Sequence, residues 1–180
     1  MDQVMPVLRY HPVVQMMHWV TFWLMLFVYG VSYLEEFFPK GSDERHFIWF
    51  AHISVGLLLL AIVIARVIMK NTHKAWHIQH SAEEKKVTLV HTLLYQLMIV
   101  TMLIGIYLAF VRGNDVSFFG LFSIPSPIEP NPELKGIVKE AHELFANILI
   151  LFILLHAAAA VFHHLVLKDG VLHRMLPDRK

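Results

Sequence analysis

Two histidines, His142 and His156, lie fourteen residues apart inside one long apolar run over residues 140–164. On an α-helix, fourteen residues complete four turns to within about 40°, so both imidazole rings leave the same face. The rise between them is about 21 Å, most of the roughly 30 Å thickness of a membrane's hydrocarbon core. The run is therefore predicted to present a nitrogen ligand near each side of a bilayer.

Two further histidines stand at matching depths in other apolar runs. His18 lies one turn inside the first run, and His52 lies near the start of the second. If successive helices alternate in direction, His18 reaches the depth of His156 (the inner pair), and His52 reaches that of His142 (the outer pair). Each predicted pair joins two helices, as cofactor sites in bundle cores do.

Paired imidazoles at two depths favour haem over other groups. Two nitrogens fill both axial positions of a haem iron, which suits electron transfer and not oxygen binding. Zinc needs several ligands within about 2 Å of one point, which a fourteen-residue spacing does not provide. A single membrane histidine is as readily explained by an interhelical hydrogen bond. A haem-free transport or structural bundle therefore remains an alternative.

The composition indicates a membrane protein with a non-covalently bound cofactor. The chain has 180 residues, 57% of them hydrophobic, with a net charge of +1 and a mean hydropathy of +0.56. It has no cysteine, so a covalent C-x-x-C-H haem attachment and a cysteine-ligated iron–sulfur cluster are excluded. We expect two non-covalently bound haems, a lipid bilayer as the surroundings, and no nucleic acid partner.

Four apolar segments are long enough to span a membrane. They predict an all-α, membrane-spanning four-helix bundle that forms a single domain. The longest predicted loop covers residues 112–135, and the helices are predicted at residues 13–34, 47–69, 87–111 and 137–167.

The distribution of basic residues predicts the orientation of this bundle. Cytoplasmic loops of membrane proteins carry an excess of lysine and arginine. The second–third connection and the C-terminus are the more basic, which predicts that both termini are cytoplasmic. The residues on that side are Arg66, Lys70, Lys74, Lys85, Lys86, Lys168, Arg174, Arg179 and Lys180, against Lys40, Arg45, Arg112, Lys135 and Lys139 on the other.

Two residues of the second helix are candidates for the haem surroundings. Gly56 lies one turn from His52, where a missing side chain would let a flat macrocycle approach the backbone. Arg66 follows His52 by fourteen residues and so shares its face at the inner depth. It could pair with a haem propionate, or it could extend its guanidinium to the membrane surface.

Three further residues are weaker candidates for substrate binding. His163 follows His156 by seven residues and could donate to a quinone carbonyl or a propionate, although a plain interfacial histidine is as good an interpretation. Arg112 and Lys139 would make the outer mouth electropositive and attract a small anion. Contact with lipid headgroups or propionates is the alternative for these two.

The segments MHWVTF, AHISVG, KEAHELFAN and LHAAAAVFHH resemble the bacterial cytochrome b561 family in order and spacing. They are most similar to its short dihaem members that act as superoxide:ubiquinone oxidoreductases. The resemblance implies an inner-membrane protein with two b-type haems that passes electrons to quinone. It places the axial ligands at His18, His52, His142 and His156, and the quinone contact at His163.

The predicted function is stepwise one-electron transfer across the bacterial inner membrane. Superoxide would be oxidised to dioxygen at the periplasmic side, and ubiquinone would be the acceptor. The alternative is a membrane anchor and electron-transfer subunit for a partner redox enzyme such as a hydrogenase, since the family includes such subunits.

Overall fold

The computed structural model describes residues 9–72 and 84–176, with the side chains of residues 84–86 excluded. Within these residues, four long helices form the membrane-spanning bundle that the sequence predicts: α1 (Pro12–Leu34), α2 (Asp43–Thr72), α3 (Glu84–Val111) and α4 (Pro132–Phe162). Of the residues that predict the orientation, Lys74, Lys85, Lys86, Arg179 and Lys180 lie outside the described residues or side chains. The cytoplasmic position of both termini therefore stays a prediction.

Polar residues at the helix ends explain why α2 and α4 begin several residues earlier than their apolar runs. α2 starts at Asp43 rather than residue 47, because Asp43 and Glu44 complement the positive end of the helix dipole. α4 starts at Pro132 rather than residue 137. The Asn131 side chain accepts hydrogen bonds from the backbone N–H groups of Glu133 and Leu134, both at 3.1 Å.

α4 also ends differently from the predicted helix over residues 137–167. Its α-helical part stops at Phe162, and a π-helical turn, His163–Leu167, completes the same apolar span. Lys168 then adopts a left-handed conformation with φ of 52°, which terminates the helix. A π-helical turn has more residues per turn than an α-helix. The seven-residue spacing from His156 therefore does not fix the direction of the His163 side chain.

The loop between α3 and α4 contains a hairpin that the sequence analysis does not predict. Its strands are β1 (Val116–Phe118) and β2 (Phe122–Ile124), paired antiparallel. Their turn has positive φ at Phe119 and Gly120. The fully buried Ser54 of α2 anchors the hairpin: its hydroxyl donates to the Ser117 carbonyl and accepts from the Phe119 N–H.

The core is thin, and much of the apolar surface faces outward. Consecutive helices pack against one another, α1 on α2, α2 on α3 and α3 on α4. One cluster lies between them, made of Met25, Leu59, Val63, Leu94, Met98 and Leu149. Large side chains such as Trp23 and Leu154 are about 60% exposed, at 62% and 61%. Such a surface matches lipid and not water.

Candidate functional site

The structure brings together the two histidine pairs that depth predicts. The ring centres of His18 and His156, from α1 and α4, are 6.3 Å apart. Those of His52 and His142, from α2 and α4, are also 6.3 Å apart. Residues of three helices thus meet along one face of α4, at two levels.

This separation fits a metal ion between the rings of each pair. Two metal–nitrogen bonds of about 2 Å, with about 1 Å from each nitrogen to its ring centre, give roughly 6 Å between centres. Among residues 9–72 and 84–176, no group of three or more histidine, aspartate or glutamate side chains converges on a metal position. Two-ligand sites of this kind suit the two axial positions of a haem iron and not a zinc ion.

Backbone carbonyls select the nitrogen that each outer histidine presents. The Nδ1 atom of His52 lies 3.1 Å from the Val28 carbonyl oxygen, and that of His142 lies 3.0 Å from the Thr101 carbonyl oxygen. Because a carbonyl only accepts, Nδ1 carries the proton in both rings. Each neutral ring therefore keeps a lone pair on Nε2, as a haem ligand requires.

Two glycines shape the space around the outer pair. A Cβ atom on Gly105 of α3 would lie 2.8 Å from Cε1 of His142, so only glycine lets this ring pack against α3. A Cβ atom on Gly56, the predicted haem neighbour, would meet no atom within 4 Å. The open space beside Gly56 is compatible with a macrocycle there. The sequence analysis missed Gly105, because its contact with His142 depends on how α3 packs against α4.

The inner pair lies beside a charged side chain. The Arg66 guanidinium donates a hydrogen bond of 3.3 Å to Nδ1 of His18, and it lies 5.5 Å from the ring centre of Tyr95. The His91 ring centre lies 5.7 Å from that of His156. Since a guanidinium only donates, Nδ1 of His18 accepts and its proton resides on Nε2. Coordination through Nε2 therefore requires Arg66 to exchange this hydrogen bond for another acceptor, such as a propionate.

A basic cavity of about 480 Å³ opens at the end of the bundle that carries the α1–α2 and α3–α4 connections. It includes both predicted anion-attracting residues, Arg112 and Lys139. Five cationic side chains and one carboxylate line it, although Arg45 pairs with Glu35 and Lys139 with Glu143. Its lining residues are Glu35, Lys40, Arg45, Trp49, Arg112, Asn114, Lys135 and Lys139.

One indole connects the basic cavity to the outer pair. Trp49 lines the cavity, with the Arg112 guanidinium 5.1 Å from its ring centre. The centre of the Trp49 ring also lies 5.8 Å from that of the His52 ring. The sequence analysis missed this contact. The position of Trp49 three residues before His52 places both on neighbouring parts of one helix face, which is a readable signal.

His163, the predicted quinone contact, has a carboxylate partner. Its Nδ1 atom lies 2.5 Å from Oδ2 of Asp169, and Oδ1 of the same carboxylate accepts the Val171 N–H at 3.1 Å. Desolvation alone would raise the pKa of Asp169. The hydrogen bonds from His163 and Val171, together with the charges of His163 and Arg174, outweigh it and leave the pKa below its ordinary value.

Comparison with known proteins gives consistent matches over most of the chain. Residues 9–178 match the family model described as prokaryotic cytochrome b561. The chain is 33% identical to cytochrome b561 homolog 1 of Escherichia coli K12, covering 91% of this chain and 94% of that protein. It is 30% identical to the probable superoxide oxidase CybB of Yersinia pestis, covering 91% and 93%. Cytochrome b561 homolog 2 of Escherichia coli K12 is 23% identical, covering 93% and 91%.

Proposed function

The chain belongs to the prokaryotic cytochrome b561 family, and we propose that it is a dihaem member that passes single electrons from superoxide to ubiquinone. Membership makes it a multi-pass bacterial membrane protein of electron transfer and implies haem b. The number of haems and both substrates are the proposal. The observation that carries it is the pair of equal 6.3 Å histidine separations at two levels of α4.

In this proposal, His52 and His142 would hold the outer haem, and His18 and His156 would hold the inner one. The haem iron, when bound, supplies a one-electron carrier at each level. The Val28 and Thr101 carbonyls hold the outer rings in the required tautomer. These hydrogen bonds also fix the orientation of both rings.

Two residues of α2 complete the haem surroundings in the proposal. Arg66, which lies 3.3 Å from Nδ1 of His18, would instead pair with a propionate of the inner haem, a charged acceptor in place of a neutral one. Gly56 leaves the outer macrocycle room against α2. Both assignments rest on the positions of these residues beside the two pairs.

Superoxide is the proposed donor because the basic cavity leads to the outer pair. Superoxide is a small anion, and a cavity with an excess of cationic groups raises its local concentration. It loses one electron there and leaves as dioxygen, so two superoxide ions reduce one quinone. A relative named probable superoxide oxidase supports this choice. The positive-inside pattern favours a periplasmic cavity in the bacterial inner membrane.

Ubiquinone is the proposed acceptor at the opposite end, beside His163. A quinone is apolar enough to reach this site through the bilayer, and its carbonyl oxygens accept hydrogen bonds. The His163 side chain is about one third exposed. It lies in the π-helical turn that completes the fourth membrane span, where lipid-soluble molecules have access.

Superoxide-driven reduction of ubiquinone by the purified holoprotein in liposomes tests the proposal. We expect added superoxide to reduce the haems of the wild-type protein. The reduced protein should then reduce quinone. The double variant K40Q/K135Q should lower the rate of haem reduction by superoxide about 3-fold or more at low salt, because the cavity then attracts the anion more weakly. The difference should shrink at high salt.

The matched control is Lys168→Gln, which removes an exposed lysine at the other end of the bundle. It should leave the rate of haem reduction by superoxide unchanged. Wild-type haems that superoxide does not reduce, while dithionite does, would contradict the donor assignment. Stable purification with a larger redox subunit would then favour the anchor function.

A further inference from the structure

The hydrogen-bonded pair of His163 and Asp169 lies at the end of the chain's last span. It joins the π-helical turn that completes α4 to the segment after it. Both side chains are about one third exposed, at 34% and 37%. The pair is too open to be explained as a core contact, and the haem ligation proposed above does not use it.

The carboxylate of Asp169 is held in place from both sides. Oδ1 accepts the Val171 N–H, and Oδ2 faces Nδ1 of His163. The left-handed backbone at Lys168 and the positive φ of 74° at Gly170 form the tight turn that makes this geometry possible. The turn therefore presents one carboxylate oxygen to His163 in a fixed direction.

This arrangement determines whether Nε2, the second ring nitrogen of His163, accepts or donates a hydrogen bond. A carboxylate accepts from Nδ1–H, so the ring keeps its proton on Nδ1 when neutral and presents a lone pair on Nε2. When protonated, the ring presents Nε2–H and forms an ion pair with Asp169. The two states match the two needs of a quinone site: an N–H donor for the quinone carbonyl, and an acceptor for the quinol hydroxyl.

We propose that Asp169 is a positioning residue that makes His163 the proton donor to ubiquinone, an inference that rests on the proposed quinone site. Reduction of ubiquinone to ubiquinol consumes two electrons and two protons. The electrons come from the inner site. One proton passes from Nε2 of His163 to a quinone oxygen, breaking the N–H bond and forming the O–H bond. Bulk solvent then reprotonates the exposed ring, and a second transfer from the same Nε2 supplies the other proton of ubiquinol.

Within residues 84–176, the other charged and titratable groups near the pair can be separated in a test. Arg174 acts electrostatically on Asp169. The His164 ring lies against that of His173, with centres 4.9 Å apart. Lys168 is the chain neighbour of Asp169. Variants of these residues therefore serve as a check that a change in pH dependence belongs to the pair.

The test is the reduction of the haems by a short-chain ubiquinol, in the absence of superoxide, across about pH 5 to 9. Asp169→Asn should slow this reaction about 10²-fold and alter its pH profile. The asparagine can still accept from Val171 N–H, but its NH₂ group then faces Nδ1 and reverses the tautomer. Asp169→Glu should restore most of the rate. Asp115→Asn, which also loses a carboxylate that accepts a backbone N–H, is the matched control.

A second readout is independent of turnover: the ¹⁵N chemical shifts of the His163 ring, assigned with His163→Gln. We expect a protonated Nδ1 in wild-type protein and its loss in Asp169→Asn. Equal quinol rates and pH profiles for Asp169→Asn and Asp115→Asn would overturn the inference. Wild-type haems that dithionite reduces and quinol does not would instead overturn the quinone site itself.

Discussion

At the scale of single residues, backbone groups decide how the histidines are presented. The spacing of four histidines is enough to predict which rings pair, because a helix converts residue number into depth and direction. The partners of Nδ1 are not readable in this way. Val28 and Thr101 contribute carbonyl oxygens, which every residue has, and their use depends on how neighbouring helices rotate.

Gly105 carries the residue-scale prediction for the outer site. In Gly105→Ala, the new Cβ would lie 2.8 Å from Cε1 of His142, so the ring must move away from α3. Overpacking of this kind costs about 1–3 kcal/mol. We expect the haem content to fall from two toward one per chain, as measured by a pyridine haemochrome assay.

Gly136→Ala is the matched control, because its Cβ would meet no atom within 4 Å. Alanine in a helix is also favoured over glycine by about 0.5–1 kcal/mol. This variant should keep the full haem content and the same spectrum. A Gly105→Ala protein with the haem content of Gly136→Ala would contradict the proposed position of the outer haem.

At the scale of elements, hydropathy predicts the four spans but not their ends. Apolar runs report the part of a helix inside the bilayer, whereas capping residues extend α2 and α4 beyond it. The Asn131-Pro132 sequence is a start signal that a search for apolar runs overlooks. The hairpin was missed for a different reason, since its stability depends on the distant Ser54 of α2.

Removal of the α4 cap gives the element-scale prediction. In Asn131→Ala, the N–H groups of Glu133 and Leu134 lose their acceptor. We expect a loss of about 1 kcal/mol in the free energy of unfolding, measured by thermal or denaturant unfolding in detergent. Asn131→Asp keeps an acceptor oxygen and should unfold like wild type. An equal loss in both variants would show that the side chain is not acting as a cap.

At the scale of the whole molecule, the two ends of the bundle differ in chemistry. One end carries the basic cavity and Trp49 beside the outer pair. The span of α4 ends instead in the hydrogen-bonded pair of His163 and Asp169. In our account, an anion delivers an electron at one end and a quinone takes up electrons and protons at the other. The two histidine levels along α4 divide the distance between them into shorter steps.

Haem stoichiometry tests this account most directly. It should be measured with a reduced-minus-oxidised spectrum on wild type, His142→Ala and His156→Ala, with His173→Ala as a control outside both pairs. The account predicts two haems per chain in wild type and in the control, and one in each of the other variants. A single haem in wild type, or two haems remaining in either His142→Ala or His156→Ala, would contradict it.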